Sequence, residues 1–270
     1  MTMIHDRIIQ FTVPCSDDGK KFIQTDRIDL IGQALGNSDY ECLADLPLAK
    51  VYNHRDFRTD KPAILVSCHI DSVYEEYFAR LEDGELQGTF DNSACNALIV
   101  EAMIKTLLPA QALISFTGDE EKKSRGADRT IEYLQKIDVF QNLEMVISLD
   151  LTEEYFDSCH FTIENHSVEK RNRESLLKFC KKRDMVDYLS SMIDSPVFVK
   201  NADPDESWLY REYDLNCFSL CLPCRLLGED MHDDSGVAIK GASLSGYIEA
   251  LKRLTRSISE DLTSKHRMKK

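Results

Sequence analysis

The chain has 270 residues, 43% of them hydrophobic, enough for one large core or two small ones. Asp and Glu number 47 against 33 Lys and Arg, a formal charge of -14. Such a surface repels phosphate backbones and anionic membranes, which argues against nucleic acid and lipid headgroups as partners.

Met1 to Phe11 is interrupted by His5, Asp6 and Arg7 and reads as no signal peptide, and no apolar run approaches the ~20 residues of a membrane span. The nine cysteines, an odd count without a secretory signal, point to free thiols in a reducing compartment, the cytoplasm. Gly19 to Leu35 carries a helical stripe of Phe22, Ile23, Ile28, Ile31 and Leu35. Ala63 to Cys68 is a short continuous apolar run, the mark of a strand buried on both faces. Asp91 to Leu108 predicts a helix with one apolar side and with Asp91 and Asn92 as N-terminal caps. Ala112 to Phe116 and Met145 to Leu149 predict two more buried strands, with a helix over Ala127 to Ile137 between them. A strand near Phe161 follows, then helices near Glu174 to Lys182 and Met185 to Met192. Cys217 to Leu222 is the fourth apolar strand, Leu244 to Leu254 the closing helix, and Ser257 to Lys270 a polar, frayed tail. Strands alternating with helices predict a three-layer α/β/α fold with a mixed, largely parallel central sheet. With no repeat or linker, residues 1–270 read as a single catalytic domain.

In an open α/β sheet, functional groups collect past the carboxyl ends of the strands. His69 and Asp71 follow the first buried strand, Glu120 and Glu121 the second, Asp150 the third and His232 the fourth. Asp91 opens a helix in the same layer. Taken singly, each has an ordinary explanation: a hydrogen-bonded His, a solvated corner, a helix cap. Their occurrence in order, each where an element end aims it at one crevice, points instead to a site. Two His with three or four carboxylates suit two divalent ions of zinc type, with Mn, Co or Fe fitting the same donors. Such ions polarise a carbonyl and acidify water, while a separate carboxylate moves the proton.

Ser67-Cys-His-Ile-Asp-Ser-Val73 resembles the His-x-Asp-Ser-Val motif of the co-catalytic zinc aminopeptidase family, which includes bacterial leucyl aminopeptidases. Gly88-Thr-Phe-Asp-Asn-Ser-Ala94 resembles its bridging-aspartate motif, and Thr117 to Ala127 its Glu-Glu segment. Ser148-Leu-Asp-Leu-Thr152 and Met231-His-Asp-Asp234 are similar to its later ligand segments. The resemblance implies that Asp91 bridges two ions, that His69 and Asp150 complete one shell, and that Glu121 and His232 complete the other. It further implies Glu120 as general base and Asp71 as the residue that fixes the His69 tautomer. The gap from Asp71 to Asp91 is too short for a lid domain, so the compact form is expected.

Lys123 and Cys95 stand where glycines are usual, and the family's substrate-side segment is echoed only by Glu206, Tyr210 and Asp214-Leu-Asn216. Trp208, Tyr210 and Tyr213 fall at helical spacing and fit either a specificity pocket or core. Cys221-Leu-Pro-Cys224 reads as structural thiols, and His160 and His166 match no motif. The expected function is an exopeptidase, most simply an aminopeptidase, acting on a small peptide. The alternatives are a deacylase, amidohydrolase or N-terminal glutamine cyclase, or a catalytically silent binding homologue. A free α-amine calls for an acidic grip, for which Glu206 is the candidate. A substrate carboxylate calls for an Arg clamp, for which Arg211 and Arg225 are available. The sequence leaves residue preference and oligomeric state open.

Overall fold

The computed structural model describes residues 2–12, 25–167, 184–200 and 202–268. The helix expected near Glu174 to Lys182 lies outside them, as do Phe22 and Ile23 of the first stripe. In chain order the strands are β1 (Tyr40–Leu46), β2 (Ala49–His54), β3 (Ala63–His69), β4 (Ala79–Glu82), β5 (Glu85–Gly88) and β6 (Ala112–Thr117). They continue as β7 (Leu143–Thr152), β8 (Thr162–Ser167), β9 (Val197–Phe198), β10 (Cys217–Pro223), β11 (Arg225–Leu226) and β12 (Val237–Lys240). The helices are α1 (Thr2–Phe11), α2 (Thr25–Leu35), α3 (Ser93–Ile104), α4 (Arg125–Lys136), α5 (Met185–Ser190), α6 (Ser207–Glu212) and α7 (Gly241–Met268).

Eight strands form the main sheet in the order β1-β2-β6-β3-β7-β10-β8-β9. Its centre, β6-β3-β7-β10, is parallel throughout. These are the four apolar runs of the sequence, and every residue of β3, β6 and β10 is buried. Antiparallel pairs, β1 with β2 and β2 with β6, extend one side, and β8 lies antiparallel to β10 on the other. The sheet is therefore mixed and largely parallel, as expected.

Alternation along the strands sends side chains to two cores. Ile64, Val66 and Cys68 join the larger core with residues of α1, α2, α3 and α7. Leu65, Leu113 and Val146 join the smaller one with Ala127, Ile131 and Leu134 of α4 and Leu209 and Tyr210 of α6. Among the described residues no helix is long and apolar enough to cross a membrane.

Two expectations are corrected. α3 has no polar side: Ser93 through Met103 are all buried, because the helix is wedged between the sheet and α1, α2 and α7. The expected frayed tail is helical to Met268. Leu254, Ile258 and Leu262 continue the buried stripe of α7 at spacings of four residues, which holds the segment against the core.

A second, four-stranded sheet runs β11-β12-β5-β4 and has no counterpart in the sequence reading. It matters for the site. β5 leads into Asp91, and the β11–β12 loop carries His232. β12 pairs antiparallel with β5, Val237 opposite Gly88, and so fastens the two segments together. Gly236 lies at φ +71, where a side chain would collide with the Gly88 carbonyl, so only glycine lets the strands approach this closely.

Candidate metal centre

Each proposed ligand is held by its element. Two amides of α3 set the distance between the strand ends: Asn92 Nδ2 donates to the Leu149 carbonyl at 2.7 Å and Asn96 Nδ2 to the His69 carbonyl at 2.8 Å. Asn92 thus stands at the N-cap position without capping the helix, and its amide ties β7 to α3 instead. The Cys95 thiol reaches the Asp150 carbonyl at 3.3 Å, a contact that the usual glycine would lack.

The turn bearing Glu120 and Glu121 closes on Asp119. The Asp119 carbonyl accepts from the Ser124 N–H at 2.6 Å, and its carboxylate, 1% exposed, accepts two bonds from Arg125. Lys123 is exposed at a φ that needs no glycine, so the departure from the family's pattern is accommodated. Sequence reasoning missed Asn92, Asn96, Asp119 and Arg125 as supports. Asn92, Asp119 and Arg125 lie inside the recognised motifs and Asn96 two residues beyond one, but nothing in their type announces a structural bond.

These supports bring the candidate ligands together. Asp91 lies between the imidazoles, Oδ1 3.0 Å from His69 Nε2 and Oδ2 3.2 Å from His232 Nε2. Asp150 Oδ1 is 3.5 Å from His69 Nε2, and Glu121 Oε2 is 3.3 Å from His232 Nε2. Ligand atoms of His69, Asp91 and Asp150, and of Asp91, Glu121 and His232, lie within 4.8 Å of one another, with Asp91 common to both groups. Glu120 joins His69 and Glu121 in a third such group. Asp71, fully buried, places Oδ1 3.6 Å from His69 Nδ1, an ion-pair rather than a hydrogen-bond distance, and accepts the Glu121 N–H on Oδ2 at 3.2 Å, which fixes the backbone at that residue.

The residues fit divalent cations on two counts. Asp91 Oδ1 and Glu121 Oε1 are buried without a hydrogen-bond partner. The two imidazoles also supply too little positive charge for four carboxylates. Burial, with Asp91 alongside, pushes Glu121 up to about 8, burial pushes Asp150 up to about 6, and Glu120 rises mainly through burial too. Asp91 alone is held well below its ordinary value, against its burial, by the two imidazoles, and its hydrogen bond carries His232 up to about 9. Cations in the middle would reverse the unfavourable shifts together.

The centre opens into a cleft of about 580 Å³, lined by the ligands, by Glu120, and by residues 151–154, 164–165, 202–205, 226 and 229–231 among others. Glu206 and Tyr210 do not line it. Glu206 is 1% exposed and its Oε2 accepts from Thr117 Oγ1 at 2.7 Å, while the buried Tyr210 hydroxyl bonds Ser67 Oγ at 2.7 Å beneath the sheet. Their neighbours Asp203 and Asp205 face the cleft instead. Trp208 and Tyr213 are not among the lining residues either.

Arg211 bonds the Asn165 carbonyl and Ser207, and Arg225 pairs with Glu85 at 2.7 Å and lies over Phe156, so neither offers the cleft a clamp. Cys221 and Cys224 are free and buried. His160 packs on Gly246 and His166 on Phe198, both outside the cleft lining.

Burial pushes the Glu206 carboxyl from 4.5 up to about 7. In the metal-free fold it keeps a proton that an unfolded chain releases near 4.5, so stability is complete below that value and falls as pH rises to about 7. Glu206→Gln removes the loss, up to about 3 kcal/mol. Chelator-treated variant and parent are expected to differ in Tm by several degrees more at pH 8 than at pH 5. An equal difference at both values would place the buried charge elsewhere.

The sequence profile described as peptidase family M28 matches residues 51–201. No curated protein sequence matches the chain. Among solved structures, the TET1 peptidase of Pyrococcus horikoshii superposes with a TM-score of 0.67 at 11% identity, covering 93% of this chain and 99% of that one. The aminopeptidase PepT of Bacillus cereus gives 0.64 at 11%, covering 96% and 98%. The LapA aminopeptidase of Legionella pneumophila gives 0.61 at 14%, covering 93% and 70%. At these identities the likeness establishes the fold, and the profile, spanning more than half of the sequence, establishes the lineage: the chain belongs to peptidase family M28 and is a metallo-hydrolase.

Proposed function

We propose that this chain is a dinuclear-metal exopeptidase of one catalytic domain, and within that class an aminopeptidase using zinc. The observation that carries the reading is Asp91, one carboxylate presenting an oxygen to each of two imidazoles. In this reading Asp91 is shared by two ions, His69 and Asp150 complete one ligand set, and Glu121 and His232 complete the other. Bound there, the ions would polarise the scissile carbonyl and make water acidic enough to lose a proton near neutral pH.

The chain's own groups do the rest. Glu120 takes the proton of the attacking water on its carboxylate and returns it to the departing amine. The Asp71 carboxylate faces His69 Nδ1 and so favours the proton there, leaving Nε2 free to ligate. Among the described residues no Arg lines the cleft, which favours a free-amine substrate over an N-acyl amino acid or another carboxylate needing a clamp. The presence of every ligand and of Glu120 speaks against a silent homologue.

Elemental analysis of gently purified protein is expected to find about two ions per chain, with cleavage of aminoacyl amides lost on chelation and restored by Zn or Mn. Failure to take up metal at high supply would sink the mechanism.

A further inference from the structure

We infer that the cleft selects peptides with a cationic side chain, Lys or Arg, next to the scissile bond. This rests on the exopeptidase reading above and names its substrate class. Asp91, Glu120, Glu121 and Asp150 carry four negative charges at most, the number that two divalent ions would balance. Beyond them the same cleft is lined by Glu153, Glu154, Glu164, Asp203, Glu229 and Asp230, together with Asp205. Among the described residues no Lys or Arg lines it. The surplus is therefore not consumed by metal binding.

Two of these acids are enclosed rather than solvated. Glu164 is 5% exposed and Asp205 6%. Their partners are neutral: the Thr162 hydroxyl donates to Glu164 at 2.5 Å, while Asp205 accepts from the Ser219 hydroxyl and from the Ser207 N–H at 2.8 Å. A carboxylate buried without a countercharge is costly, and a substrate cation arriving beside it would remove that cost. The same walls include Leu151, Pro204, Leu226 and Met231, apolar surface for the methylene stem behind an ammonium or guanidinium head. Acid over an apolar wall suits Lys and Arg, whereas Glu or Asp in the substrate would be repelled.

The chain holds one internal rival for the role. Residues 168–183, outside the described set, are rich in basic residues, among them Lys170, Arg171 and Arg173. If that segment neutralises the acids, substrates lose any advantage from a positive side chain.

The test uses the metal-loaded enzyme with lysyl, norleucyl, Nε-acetyl-lysyl and glutamyl coumarin amides, and with Leu-Lys against Leu-norleucine dipeptides. All share a free α-amine, so the comparison isolates the side chain. On at least one side of the bond, kcat/KM for the Lys substrate is expected to exceed its neutral counterparts by about tenfold or more, with the gap narrowing as salt rises. Glu164→Gln is expected to reduce that ratio at least threefold. The exposed pair Glu153→Gln with Glu229→Gln is expected to lower it too, and serves where the buried change fails to fold. Equal rates for Lys and norleucine on both sides would overturn the inference while leaving the exopeptidase reading intact. Cleavage of none of these substrates would remove that reading itself.

Discussion

Glu120→Gln is expected to lower kcat/KM by roughly 10²–10⁴-fold, the span of a lost general base, and to leave bound metal unchanged. The amide keeps the shape of the carboxyl but has no basic oxygen to accept a proton from water. Glu120 lines the cleft next to Glu121 and reaches the same cluster as His69, so the substitution falls on the proposed proton-moving group and spares both proposed ligand sets. Elemental analysis and kinetics on one preparation separate the two effects. Activity within a few fold of the parent would take Glu120 out of this role. Equal loss of metal would recast it as a ligand.

Asp91→Asn is expected to be as damaging by another route. An amide offers one carbonyl oxygen and an NH₂ without a usable lone pair, so it can serve one ion but cannot be shared by two. Bound metal is expected to fall from about two per chain to one or fewer, with kcat/KM down roughly 10³-fold, about 4 kcal/mol of barrier. The metal-free protein gives an independent readout. Its hydrogen bond from His232 to Asp91 holds that imidazole at about 9, and removing the charge should return it toward 6.5, measurable by NMR titration. Two ions retained with an unmoved His232 would show that Asp91 is not the shared group.

The strand ends are where the sequence spoke most clearly. Two of the four buried apolar runs end directly in His69 and Asp150, Glu120 follows the third after a short turn, and β3, β6, β7 and β10 do form the parallel centre of the sheet. Their order, with β6 beside β3 rather than after it, could not be read from periodicity, which reports burial and not neighbours. The small sheet escaped for a different reason. Strands of two to four residues, such as Arg225–Leu226 and Val237–Lys240, are too short to show any alternation.

Glu206 illustrates a third limit. It and Asp205 are adjacent acids, yet one bonds Thr117 away from the cleft and the other lines it. A shift of a single residue decides the direction, and only the turn before α6 fixes it. The helical end of α7, by contrast, was signalled by Leu254, Ile258 and Leu262 but masked by the charged residues between them.

The parallel centre of the sheet has a consequence for how the protein comes to be active. Parallel neighbours cannot be joined by a tight turn, so each pairing closes a long loop of chain before any contact rewards it. The candidate ligands sit at the ends of β3 and β7, after β6, at the start of α3 and in the β11–β12 loop, with most of the chain lying between the first imidazole and the last. One ligand set is nearly local, with His69, Asp91 and Asp150 drawn from β3, the start of α3 and β7, while the other set waits for His232 in the β11–β12 loop. In the proposed reading, a chain that has closed only β6-β3-β7 would hold the first set without the second, so full activity would report that the β11–β12 loop has docked.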